Sequence, residues 1–170
     1  MKILILGNAG AGKSTLSRKI LARHPAAQLS LDELAFAGGT DRRPLQDSVA
    51  DVRCFIDAHD SWILEGCYAD IIEPFLSECE ALIFLNPGIE ICVKHCRARP
   101  WEPQKFSSPG EQDANLKNLI GWVRGYETRD DEYGLRRHRA IYDAFRRRKH
   151  ELTHPGQYES ALAALAGPES

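Results

Sequence analysis

Apolar residues fall into short continuous runs separated by longer stretches in which they recur at helical spacing. Ile3-Leu4-Ile5-Leu6 is an apolar run ended by glycines, the pattern of a strand covered on both faces. A helix is predicted from about Lys13 to Arg23, with Leu16, Ile20 and Leu21 inward and Pro25 closing it. Gln28-Leu29-Ser30-Leu31 reads as a second strand ending at Asp32. A polar loop with Gly38-Gly39 leads to a helix whose Val49, Val52, Phe55 and Ile56 share one face. Trp62-Ile63-Leu64 predicts a third strand ending at Glu65-Gly66. Ala81-Leu82-Ile83-Phe84-Leu85 predicts a fourth, punctuated by Pro87-Gly88 before a helix carrying Ile91, Val93 and Cys96.

From Arg99 to Gly110 the composition shifts to proline, serine and tryptophan, which reads as an irregular surface segment. Helices are expected over roughly Gln112 to Asp131 and Leu135 to Arg148. Glu151-Leu152-Thr153 follows as a short fifth strand, and Tyr158 to Leu165 as a closing helix. Strand alternating with helix implies an α/β domain with a parallel sheet covered on both faces. At 170 residues the chain makes one domain with a substantial core, without an internal repeat or a dividing linker.

The turn after the first strand carries the clearest chemistry. Gly7-Asn8-Ala9-Gly10-Ala11-Gly12-Lys13-Ser14-Thr15 satisfies G-x-x-x-x-G-K-[ST], the Walker A pattern, between a predicted strand and a predicted helix. Gly7, Gly10, Ala11 and Gly12 leave backbone amides free to converge on phosphate oxygens at a helix N-terminus, where the dipole also favours anions. Lys13 is expected to reach the β- and γ-phosphates and Ser14 to ligate Mg²⁺, with Thr15 near the α-phosphate. No Asn-Lys-x-Asp guanine-reading motif is present, so ATP is the expected nucleotide.

Ligands on open parallel sheets bind beyond the carboxyl ends of the strands, which singles out Asp32 and Glu65. Asp32 is placed to take a proton from an acceptor hydroxyl, to hold a metal-bound water, or simply to cap a helix. Glu65 is either a group near the metal or an exposed loop acid, and Gly66 beside it permits close approach of a substrate. Arg97 and Arg99 lead into the proline-rich segment, where they either close over the triphosphate as a lid or end a solvated helix. Arg42, Arg43 and Arg53 flank the acceptor side, where they could hold an anionic substrate.

Charge and cysteine content narrow the setting. The formal charge is −2, with most arginines between Lys94 and Lys149, a block read either as a solvated helix face or as a polyphosphate-facing surface. Nothing reads as a stripe of basic and aromatic residues for nucleic acid outside 124–149. Five cysteines, with no Cys-x-x-Cys pair, fit reduced thiols in a cytoplasm. Cys92 and Cys96, one helical turn apart, lack finger-like partners and read as core packing. The N-terminal apolar run is too short for a signal peptide, and no stretch reaches membrane-spanning length.

The loop, Leu31-Asp32 and the segment Trp62-Ile63-Leu64-Glu65-Gly66-Cys67-Tyr68 together resemble small P-loop kinases of the adenylate-kinase and shikimate-kinase group. The chain is most similar to DNA topology modulation proteins, through roughly its first hundred residues. The resemblance implies a three-layer P-loop NTPase fold with a five-stranded parallel sheet in the order 2-3-1-4-5 and a short helical lid. It implies a core of about 1–98 and 149–170, with a lid and helical region of about 99–148. It further implies MgATP at Gly12, Lys13, Ser14 and Thr15, an acceptor pocket under the second helical region, site roles for Asp32 and Glu65, and lid arginines at Arg97 and Arg99. Glu65 stands where relatives more often carry Asp, and no glycine pair follows the third strand, which argues against shikimate kinase. The expected activity is transfer of the γ-phosphate of ATP to a small metabolite or nucleotide. The alternative is a nucleotide-dependent regulatory protein with slow ATPase activity, acting through a protein or DNA partner.

Overall fold

The computed structural model describes residues 1–36, 41–103 and 106–166; the expected Gly38-Gly39 loop lies outside the described residues. The chain alternates β1 (Lys2–Gly7), α1 (Lys13–Leu21), β2 (Ala27–Ser30), α2 (Asp32–Ala35), α3 (Leu45–Asp57), β3 (Trp62–Gly66) and α4 (Ala69–Ile72). It continues through β4 (Ala81–Leu85), α5 (Ile89–Arg97), α6 (Pro109–Arg124), α7 (Leu135–Ala144), β5 (Arg148–Leu152) and α8 (Tyr158–Ala166). All four strand pairings are parallel, in the order β2-β3-β1-β4-β5.

Alternation along the strands sorts the core into two layers, because successive side chains leave opposite faces of a sheet. Ile3, Ile5, Ile63, Ile83 and Leu85 pack with Leu16 and Ile20 of α1, Cys92, Val93 and Cys96 of α5, Val123 of α6 and Leu162 of α8. Leu4, Leu6, Leu64, Leu82 and Phe84 face the other way, onto Val52 and Ile56 of α3, Ile71 and Ile72 of α4, and Ile141 of α7. Strands buried on both faces must be apolar throughout, which explains the continuous runs at β1 and β4.

Sequence and structure part company where that signal is missing. β5 begins at Arg148 rather than near Glu151, because an edge strand with half-exposed positions can carry Arg, Lys and His. α6 starts at Pro109, within the segment that reads as irregular. Ser108 caps it, its hydroxyl accepting from the Glu111 amide at 3.2 Å, and Pro109 occupies the first turn, where its missing N–H costs nothing. α7 belongs to the core, with Ile141 and the following Phe145 both buried against β1 and β4. The region between α5 and β5 is therefore only partly a peripheral layer.

The register brings four strand ends to one edge: Ile5 lies beside Glu65, Leu6 beside Gly66, Ser30 beside Glu65, and Gly7 beside Leu85. No helix among the described residues is long and apolar enough to cross a membrane.

Candidate active site

The turn from β1 to α1 wraps an open N-terminus. Gly10 and Gly12 take φ of 76° and 100°, backbone that side chains rarely adopt. A Cβ at Gly12 would strike the Tyr158 hydroxyl, and one at Gly10 would strike the Cys92 carbonyl. α1 has no side-chain cap and no acidic residue in its first turn, so its leading amides remain open to an anion. The Lys13 ammonium lies over the loop, donating to the carbonyls of Gly7 at 3.1 Å and Asn8 at 3.0 Å.

Residues far along the chain hold this loop. Tyr158 of α8 donates its hydroxyl to the Ala11 carbonyl at 3.2 Å, and His95 of α5 donates Nδ1–H to the Gly10 carbonyl at 2.8 Å. Asn8, buried, donates through Nδ2 to the Val123 carbonyl at the end of α6 and accepts from the Ala9 amide. None of these supports shows in the sequence, because each depends on which helix lands beside the loop.

Ser14 donates its hydroxyl to Glu65 Oε1 at 2.9 Å. Glu65 is 4% exposed at the end of β3, so the loop-acid alternative does not describe it. A serine hydroxyl and a carboxylate side by side at the loop are hard oxygen donors of the kind Mg²⁺ takes, with phosphate and water oxygens completing its shell. Among the described residues no group of three or more His, Cys, Asp or Glu forms a metal cluster of its own. Cys92 and Cys96 are buried free thiols.

Asp32 opens α2 and accepts from the Tyr68 hydroxyl at 2.7 Å. Burial and the neighbouring Cys67 and Asp32 raise the Tyr68 pKa, so the phenol stays protonated and donates. Asp32 itself is exposed, and its carboxylate faces two adjoining cavities. The first, of about 460 Å³, runs over the loop between Lys13, Ser14, Thr15, Arg18, His95, Arg99, Pro155 and Tyr158. The second, of about 890 Å³, lies between Asp32, Phe36, Tyr68, Leu119, Trp122 and Tyr133. Ala9, Ser14, Asp32, Cys67 and Arg99 line both.

The two arginines after β4 separate. Arg99 reaches both cavities, whereas Arg97 lines neither; it is exposed and borders a smaller cleft with Arg99, Glu102 and Phe106. Arg42, Arg43 and Arg53 are committed elsewhere. Arg42 grips Asp70 through both carboxylate oxygens, at 3.0 and 2.9 Å, and Glu132 at 3.2 Å. Arg43 pairs with Asp51 at 2.7 Å, and Arg53 with Glu78 at 2.9 and 2.6 Å.

Behind the site, His138 is fully buried, donating Nε2–H to the Cys67 carbonyl at 3.0 Å and accepting at Nδ1 from the Tyr126 hydroxyl at 2.8 Å. Burial drives its pKa down to about 4, so the ring is neutral and fixes the turn after β3. Burial likewise pushes the Cys67 thiol up to about 12, which removes it as a nucleophile.

No family model matches the chain, and no curated protein matches it. Among solved structures it is similar to deoxyadenosine kinase from M. mycoides with bound dATP, at a TM-score of 0.57 and 12% identity. The match covers 98% of this chain and 100% of that one. At that identity the likeness shows the fold alone: a five-stranded parallel sheet in the order 2-3-1-4-5 with helices on both faces. The narrower resemblance to DNA topology modulation proteins draws no support from these comparisons.

Proposed function

We propose that this chain transfers the γ-phosphoryl group of MgATP to a hydroxyl of a small acceptor. One observation carries the reading: the cavity over the glycine-rich loop and the cavity between the aromatic residues meet at Ser14, Asp32 and Arg99. Two compartments joined at a carboxylate and a guanidinium suit a reaction in which two substrates meet in line. The structural neighbour, a deoxyadenosine kinase, agrees with this at the level of fold.

In this reading the loop amides and Lys13 hold the triphosphate, and Ser14 with Glu65 holds Mg²⁺, which when bound neutralises charge on the phosphates. Asp32 orients the acceptor hydroxyl and takes its proton as that oxygen attacks the γ-phosphorus. The bond to the bridging oxygen then breaks, and ADP leaves with the electron pair. Tyr68 holds the Asp32 carboxylate in place, and Arg99 stabilises the transferring group. Arg97, turned to solvent, is left with a role only if the segment around it closes.

Much of the basic block that the regulatory alternative would use is paired within the fold. Arg124, Arg136, Arg137 and Arg139 pair with Glu90, Asp130, Glu73 and Glu151, and Arg147 is bound to the carbonyls of Ser77 and Cys79. A block that is largely paired within the fold offers little to a phosphate backbone.

The test is ADP release from MgATP with a panel of nucleosides, nucleoside monophosphates and small hydroxy-acids. An acceptor-dependent rise far above the water background is expected, abolished in Lys13→Ala and reduced on the order of a hundredfold in Asp32→Asn. Slow hydrolysis that no acceptor accelerates would leave a nucleotide-binding protein and no kinase.

A further inference from the structure

We infer that the acceptor is an uncharged alcohol carrying a flat ring system, of which a nucleoside is the commonest form, and not a phosphate or carboxylate. The inference rests on reading the aromatic cavity as the acceptor site and goes beyond that reading by naming the class. Two independent features of the cavity carry it.

Shape is the first. Phe36, Tyr68, Tyr133 and Trp122 form a continuous set of edge-on rings, with centroids 6.3, 5.5 and 5.5 Å apart in turn. Such walls bury flat apolar surface and meet it through ring faces and edges. An open-chain polyol or a small hydroxy-acid has no ring to set between them.

Charge is the second. Asp32 and Glu33 bring two carboxylates to this cavity, and among its described lining residues Arg99 is the one arginine or lysine. Arg99 also lines the cavity over the loop, where a triphosphate would claim it. Arg42 approaches the rings, its guanidinium 5.0 Å from the Tyr68 centroid and 5.3 Å from that of Tyr133, but Asp70 and Glu132 already neutralise it. An anionic acceptor would enter against net negative charge with no cation among the described lining residues left to pair it. A neutral ring-bearing alcohol meets no such barrier, and its hydroxyl can reach Asp32 at the junction of the two cavities.

The experiment is calorimetric titration of the full chain, with MgADP present, against adenosine, thymidine, their 5′-monophosphates and gluconate, run beside ADP release with MgATP. Nucleosides are expected to bind at least tenfold tighter than their monophosphates, and gluconate not to bind. Trp122→Ala should lose nucleoside binding by tenfold or more and Trp122→Phe should largely keep it, with thermal melts showing both folded. Monophosphates or gluconate binding as tightly as nucleosides, or no nucleoside saturating at millimolar concentration, would overturn the inference. The ADP readout separates the two ideas. Anions that accelerate ADP release sink the acceptor class and keep the phosphotransferase, while nucleosides that bind tightly without turnover sink the phosphotransferase and leave the aromatic cavity as a binding site for a neutral ring.

Discussion

Single residues show how far this fold leans on groups held in unusual states. The unfolded chain takes up a proton at His138 near pH 6.5, whereas the folded chain refuses it until about pH 4. Protons therefore favour the unfolded state across that window, and stability falls as the pH drops through it. Denaturant melts should show a loss of about 2 kcal/mol between pH 7 and pH 5. His138→Gln should flatten that dependence, and an equal slope in both proteins would exclude His138 as its source. Gly12 is a second case, because its φ of 100° and the Tyr158 hydroxyl both oppose a side chain. Gly12→Ala is expected to destabilise by about 1–2 kcal/mol and to weaken nucleotide binding. Adding Tyr158→Phe should recover only part, since it removes the collision and leaves the backbone strain. Full recovery would show that the collision was the whole cost.

At the scale of elements, burial decides what can be read in advance. β1, β3 and β4 sit in the middle of the sheet and announce themselves as apolar runs. β5, at the edge, carries Arg148, Lys149 and His150 and hides its first half. α2 and α4 are single turns of four residues, too short to show a period, and neither was legible. α7 was legible as a helix but not as a core element, since five of its first eight residues, Arg136, Arg137, His138, Arg139 and Tyr142, are polar or half-polar. Its placement against the sheet makes a clear prediction. Ile141→Ala should lower unfolding free energy by about 2–5 kcal/mol, the range for a buried aliphatic side chain and far above that for a surface helix. A loss below about 0.5 kcal/mol in chemical melts would put α7 outside the core.

For the whole molecule, the site couples the ends of the chain: the loop near the N-terminus is held by His95 of α5, Val123 of α6 and Tyr158 of α8. A ligand that binds only this assembled loop should stabilise the entire fold. At a hundredfold excess over its Kd, MgATP should add about 2.7 kcal/mol, a rise of about 5–10 °C in Tm for a chain of this size. The rise should vanish in Lys13→Ala and shrink when EDTA removes the metal or when Glu65→Gln removes a metal oxygen. A Tm unmoved by MgATP in the native chain would argue against the nucleotide site itself.

The sequence by itself determined the class of fold and the loop at its centre, because both are written in local patterns. Apolar runs mark buried parallel strands, and a glycine-rich turn before Lys13 marks where backbone amides gather. It also located Asp32 and Glu65, since strand ends fall on one edge of any such sheet. Tertiary structure alone decided what stands around them. Arg99 rather than Arg97 faces the cavities, and Arg42, Arg43 and Arg53 are bound to carboxylates instead of open to a substrate. The aromatic wall is gathered from Phe36, Tyr68, Trp122 and Tyr133, residues distant along the chain. Pairing and enclosure are long-range facts, settled by which side chains the packed helices bring within a few ångströms of each other, and no local pattern encodes them.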